Sequence, residues 1–324
     1  MHFYKLFFII MVVSPLLHSY EEGEVKNGDV TIFYRDYGPK DGDPILLVQG
    51  LGGQLINWQE HLIEFLIENN FRPIVFDNRD TGLSSRIQSD LFSKDRASKT
   101  ISRTYIKYFL RLPVNPVYNL DDMANDSIAI LDGLNIDKAH LLGISMGGMI
   151  AQIIASNHPN RVKTFTLISS TASTPNPFNG PSREVRKVLM KRSNNPYSSI
   201  DERIARSKII FSLIGLEGYD LETEEFYNNS KKSIERAGDD DTGFSRQIMA
   251  ILGSKDRIKK VKSIKAKTLI IHGDEDPLIK VRNAYKAHKY IKNSKLIIIP
   301  NMRHLIEPPV FNQFKDELLI HIKT

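Results

Sequence analysis

The chain of 324 residues has no cysteine and a single tryptophan. Without thiols there are no disulfides, no zinc–thiolate centres and no cysteine nucleophile. Past the first twenty residues, no apolar run approaches the roughly 20 residues needed to cross a bilayer as a helix. Charge of one sign does not dominate the composition either. Lys and Arg number 44 against 38 Asp and Glu, a net charge of +6 and a pI near 9.2. There is no zinc-finger spacing, no aromatic–basic RNA signature and no concentrated basic arm, so no nucleic-acid partner is expected. The excess of lysine reads as a solvated surface. With 41% hydrophobic and 25% charged residues the composition is that of a globular protein with a sizeable core.

The first twenty residues stand apart. After Lys5 an apolar run extends from Leu6 to Val13, followed by Pro15-Leu16-Leu17 and then by polar and acidic residues. A basic start, a short apolar centre and a polar exit read as a secretory signal, with an uncleaved membrane anchor as the alternative. Residues 1–20 are therefore expected to be a signal peptide or an N-terminal anchor. The expected location is secreted or periplasmic, with possible loose membrane association.

Further on, hydrophobic periodicity alternates between two kinds of element. Strands are expected at Val30 to Tyr37, Ile45 to Val48, Pro73 to Phe76, Lys138 to Gly143 and Val162 to Ile168. Helices are expected over Asn57 to Glu68, from Asp121 or Asp122 to Gly133, and from Met146 to Asn157. Residues 86–119 read as an irregular excursion. The alternation stops at Thr171 and resumes at Thr268 to His272, Lys295 to Ile299 and a last helix near Phe311 to Ile322. Such a pattern predicts an α/β fold with a mostly parallel sheet flanked by helices. The core is expected at 25–170 and 263–324, with 171–262 a helical insert.

Within that frame, Gly143-Ile144-Ser145-Met146-Gly147 reads G-x-S-x-G. It follows an apolar strand and opens an apolar helix, the context in which this motif holds a nucleophilic serine on a sharp turn. A serine hydroxyl needs a base within hydrogen-bond reach, and the base needs an orienting acid. The expected chain order is serine, acid, histidine. His272-Gly273-Asp274-Glu275-Asp276-Pro277 follows a strand, and Asp276 is the preferred acid with Asp274 second. Among nine histidines, His304 alone combines the order with a loop position after the last strand. The Met146 N–H at the helix start and the Leu51 N–H of the loop Gly50-Leu51-Gly52-Gly53 are the expected oxyanion donors. That loop lacks both G-x-G-x-x-G and the Walker lysine, so a nucleotide site is not supported.

These segments, together with Asp77-Asn78-Arg79-Asp80-Thr81-Gly82-Leu83-Ser84, resemble the α/β-hydrolase superfamily, and within it the branch of anthracycline methylesterases and bacterial lipase/esterases. The resemblance implies a hydrolase that uses no cofactor and no metal and carries a helical cap, here 171–262. One position departs from the usual pattern: Gln49 stands where many relatives have histidine. Asp80 replaces the glycine that usually follows Arg79, as it does in that branch.

A serine at the elbow argues against dehalogenase and epoxide hydrolase chemistry. The expected substrate is a small-molecule ester or lipid-like compound, and the expected reaction is carboxylic ester hydrolysis through an acyl-enzyme. Cleavage of a lactone, thioester, amide or C–C bond is the alternative, as is a non-catalytic binding protein on the same fold. Phe92, Tyr105, Tyr108, Phe109, Phe178, Phe211 and Leu213 are candidates for an acyl pocket or for simple packing. The basic runs at 183–187 and 259–262 read as exposed helix faces.

Overall fold

The structure, a computed structural model, describes residues 19–89, 94–174, 180–191, 199–238, 242–254 and 257–324. Eight strands form one sheet: β1 (Tyr20–Asn27), β2 (Val30–Tyr37), β3 (Asp43–Val48), β4 (Phe71–Phe76), β5 (Ala139–Ile144), β6 (Val162–Ile168), β7 (Lys267–Gly273) and β8 (Ser294–Ile299). Their spatial order is β1-β2-β4-β3-β5-β6-β7-β8. β1 pairs antiparallel with β2, and β2 antiparallel with β4; every other pairing is parallel.

The central strands are short apolar runs because helices cover both of their faces. Alternate residues of β3 serve opposite layers. Leu46 and Val48 pack with α3 (Leu120–Gly133), α4 (Met146–Asn157) and α10 (Arg282–Tyr290), whereas Ile45 and Leu47 pack with α1 (Glu60–Glu68), α11 (Pro308–Phe311) and α12 (Lys315–Ile322). Gly133 remains glycine because a Cβ there would stand 2.5 Å from Val25 Cγ1 of β1.

Several elements differ from the sequence expectation. β1 begins at Tyr20, inside the segment expected to be a leader; residues 1–18 lie outside the described residues. As an edge strand paired on one side only, β1 carries a polar sequence with no apolar run to reveal it. Part of the 86–119 excursion is α2 (Lys94–Phe109). Among the residues of α2 whose burial is described, only Ile101 and Thr104 are buried, and the sequence is too polar to show a broad apolar stripe. Neither Asp121 nor Asp122 caps α3. Asn119 does, accepting the Asp121 and Asp122 N–H groups, while Asp122 Oδ2 accepts the Asn119 N–H to close a capping box. In α12, His321 is buried, with its Nε2 3.1 Å from Phe165 O.

Between β6 and β7 the chain forms α5 (Arg183–Lys191), α6 (Ile200–Ile214), α7 (Glu224–Ala237), α8 (Thr242–Gly253) and α9 (Ile258–Lys262). Among the described residues no helix is long and apolar enough to cross a membrane.

Candidate active site

Ser145 sits between β5 and α4 with φ 54° and ψ −120°. This is unusual territory for a residue with a Cβ, and it persists only where the surroundings over-determine it. Three contacts hold it. The Ser145 N–H donates to Ile168 O at 3.0 Å, the Met149 N–H to Ser145 O at 3.3 Å, and Ser170 Oγ to Ser145 O at 2.7 Å. Close approach of the helix to β3 demands the flanking glycine: a Cβ on Gly147 would lie 1.9 Å from Val48 O.

The expected acid and the expected base meet across two loops that leave neighbouring strands. His304 Nδ1 lies 2.7 Å from Asp276 Oδ2, and the two residues are only 3% and 4% exposed. Asp276 Oδ1 accepts the N–H groups of Leu278 and Ile279, both at 2.8 Å. Burial on its own would raise the Asp276 carboxyl. The charge of His304 and the hydrogen bonds from His272 and His304 outweigh that and hold it at about 2. It is therefore a carboxylate at neutral pH. Asp274, the other candidate acid, is exposed; its Oδ1 accepts the Asn301 N–H at 2.8 Å, which is turn chemistry. Glu275 is exposed as well.

The loop after β3 packs on the serine, since a Cβ on Gly50 would stand 3.2 Å from Ser145 Cβ. Its donors are divided among specific acceptors. The Gly50 N–H goes to Gln49 Oε1 (2.8 Å), the Gly52 N–H to Gln247 Oε1 (2.8 Å) and the Gly53 N–H to Gly50 O (3.1 Å). The Leu51 N–H lies between two donors held in place. Gln49, at the departure from the usual histidine, thus turns its side chain back on its own loop, and Asn78 Nδ2 donates to its carbonyl at 3.1 Å. Met146 is buried and is the first residue of α4, so its N–H has no acceptor inside the helix.

Ser145, Asp276, His304 and Leu51 thus stand on loops at the C-terminal ends of β5, β7, β8 and β3, on one edge of the parallel strands. Of these, Asp276 and His304 are directly bonded. Ser145 and His304 do not share a hydrogen bond; the bond between nucleophile and base in such sites tightens in the substrate complex.

Four residues that the sequence reading left aside support this edge. His272 Nε2 is 2.6 Å from Ile279 O and 3.3 Å from Asp276 Oδ2, so the histidine at the end of β7 touches Asp276. Gln247 Nε2 donates to Arg79 O at 2.9 Å, joining α8 to the segment after β4 as well as to Gly52. Arg236 of α7 pairs with Asp77 at 2.7 Å, and Arg246 of α8 forms two hydrogen bonds with Asp80, at 2.7 and 2.9 Å. Asp80 has φ 70°, which explains why glycine is usual there; here the paired arginine holds the carboxylate in place. The sequence signal was faint but present: Ser245, Arg246 and Gln247 are consecutive polar residues, all buried, within an otherwise apolar helix.

The loop carrying His304 also touches the helices between β6 and β7. The His304 N–H donates to Ile214 O at 2.8 Å, and the Leu216 N–H to Glu307 Oε1 at 2.8 Å. A small apolar cavity of about 20 Å³ lies between α5, α6 and Leu278, with Leu213 in its wall. Of the other acyl-pocket candidates, Phe109 is 49% exposed, Phe211 stacks on Phe226 at 5.5 Å, and Tyr105 packs on the Ile101–Ile248–Met249 cluster. Phe92 and Phe178 lie outside the described residues. The basic runs are helix faces: Arg183 and Lys187 are exposed around a buried Val185, and Lys260 pairs with Asp121.

The family model of the alpha/beta hydrolase fold matches residues 43–306, and the chain belongs to that family. It is similar to rhodomycin D methylesterase DnrP of Streptomyces peucetius, 23% identical over 315 residues, covering 93% of this chain and 97% of the methylesterase. The enol-lactonase from Burkholderia xenovorans LB400 superposes with a TM-score of 0.71 at 17% identity, covering 93% of this chain and 100% of that one. The esterase RhEst1 from Rhodococcus sp. ECU1013 superposes with a TM-score of 0.68 at 19% identity, covering 94% and 99%.

Proposed function

We propose that this α/β-hydrolase is a carboxylic ester hydrolase in which Ser145, His304 and Asp276 form the catalytic triad. The observation that carries the reading is the pairing of a buried His304 with a buried, ionised Asp276 on the strand edge that also bears the strained Ser145. Esterase and methylesterase relatives support the choice of an ester.

His304 takes the Ser145 proton, and Asp276 fixes the imidazole tautomer and stabilises the imidazolium that forms. Ser145 Oγ bonds to the ester carbonyl carbon, and the carbonyl electron pair moves to oxygen, where the Leu51 and Met146 N–H groups hold it. Collapse expels the alkoxide, which leaves as the alcohol with the proton from His304. Water, activated by the same histidine, then cleaves the acyl-enzyme and frees the acid. Each oxyanion donor contributes about 3 kcal/mol to the lowered barrier.

The described helices between residues 171 and 262 act as a cap that shapes the acyl side of the site, and Leu213 and Leu278 belong to its apolar wall. The N-terminal segment directs the chain to a secreted or periplasmic location or tethers it to a membrane.

A fluorophosphonate probe tests the reading. It should label the wild-type chain and leave Ser145→Ala unlabelled, with hydrolysis of short p-nitrophenyl esters lost in parallel. A wild-type chain that is neither labelled nor active on those esters overturns it.

A further inference from the structure

We propose that the tip formed by the end of α2 and the segment up to Val117 docks the protein on an anionic membrane surface. Large apolar side chains there point into solvent: Ile106 is 58% exposed, Leu110 64% and Leu112 51%, beside the half-exposed Phe109. Single exposed apolar residues are ordinary, but a contiguous group of them marks an interaction surface.

The charges around this group have one sign. Lys99, Arg103, Lys107 and Arg111 recur at every fourth residue, and no Asp or Glu occurs from residue 96 to 120. All four are exposed, and among the described residues none of them forms an ion pair. Spacing of four places the first three on one stripe of the helix, next to the exposed Ile106. An amphipathic element with a basic border and aromatic and aliphatic side chains at its centre suits a lipid–water interface carrying negative headgroups.

The tip is held in shape. The Leu112 N–H donates to Lys107 O at 2.8 Å and the Arg111 N–H to Tyr108 O at 3.0 Å, with Arg111 at φ 57°. These two bonds form a Schellman motif that closes the helix on a left-handed arginine where glycine is the usual choice. The opposite face of α2 is anchored: Ile101 is buried against Ile248 and Met249 of α8, and Leu51 of the serine-side loop packs on the same cluster. Docking through the tip therefore brings the flank of the molecule that carries Leu51 toward the bilayer. A second copy of the chain fits this surface less well, because a two-fold contact would set four unpaired cations against four others.

The test measures co-sedimentation of the full chain with phosphatidylcholine vesicles, with and without phosphatidylglycerol. Wild type should bind the anionic vesicles at least tenfold more tightly than the neutral ones, and high salt should remove the difference. Lys107→Ser/Arg111→Ser should weaken binding to anionic vesicles by about fivefold per charge. Ile106→Ser/Leu110→Ser should weaken it on both kinds of vesicle. Both double variants should hydrolyse a soluble short ester as wild type does, a readout that fails separately if the hydrolase reading is wrong. The proposal is overturned if wild type does not prefer the anionic vesicles, if both variants bind like wild type and so place the contact elsewhere in the chain, or if the substitutions instead abolish a dimer.

Discussion

Asp276 receives His304 Nδ1 on one carboxylate oxygen at 2.7 Å and two backbone N–H groups on the other at 2.8 Å. The two backbone donors thus fix the orientation in which the Asp276 carboxylate faces His304. Asp276→Asn keeps the shape but presents an amide where the imidazole needs an acceptor. We expect kcat on a p-nitrophenyl ester to fall by about 10⁴-fold, as when the buried acid of such a triad is neutralised. Asp274→Asn, at an exposed turn, should leave kcat nearly unchanged. Steady-state kinetics of the two variants separates the two candidate acids.

The same carboxylate sets a pH dependence of stability. Its folded pKa is lowered from 3.8 to about 2, so the unfolded chain binds more protons between those values. The stabilisation is fully present above about pH 4 and is lost as pH falls through the folded pKa. Thermal melts of wild type and Asp276→Asn should therefore converge between about pH 4 and pH 2. A gap that stays constant through that window contradicts the assignment.

Gln247 accepts the Gly52 N–H from outside the loop, next to Leu51, the proposed oxyanion donor. Gln247→Leu removes this acceptor. It should lower kcat by roughly 10-fold or more, less than the 10²–10³ lost with a whole oxyanion donor. KM should change little, because the donor acts on the transition state more than on bound substrate. Gln247→Glu keeps an acceptor for Gly52 and should recover part of kcat. A change confined to KM would assign Gln247 to substrate binding instead.

Arg246 and Asp80 form a buried pair with two hydrogen bonds. Arg246→Met leaves the Asp80 carboxylate without its partner and should cost about 3–5 kcal/mol in denaturant unfolding. Adding Asp80→Gly removes the orphaned charge and puts glycine at a φ of 70°, so the double variant should regain most of the loss. Additive losses would mean that the two residues act independently.

Much of the core was readable because its signals are local. The α4 bounds at Met146 and Asn157 follow from the apolar run and from Pro159, and Val162 to Ile168 is a short β-branched and apolar run between turn residues. By contrast β1, and α2 over residues 99–109, expose most of their described residues, so hydrophobic periodicity carries little information in either. The Asn119 cap was passed over for the aspartates beside it, because all three residue types can cap a helix and only the bonds made distinguish them.

The site divides along the same line. The sequence by itself determined the family pattern and singled out the candidates for the chemistry: a serine flanked by glycines in G-x-S-x-G, an acid loop and a late histidine loop in the expected order. It did so because each belongs to a short motif tied to the end of a strand. Only the tertiary structure decided that Asp276 rather than Asp274 meets His304, that His272 touches that acid, and that Gln247 and Arg246 reach from α8 to the loops beneath. These contacts join residues as far as 195 positions apart. Such pairings arise from how helices lie across a sheet, a geometry that no local pattern of hydrophobic and polar residues encodes.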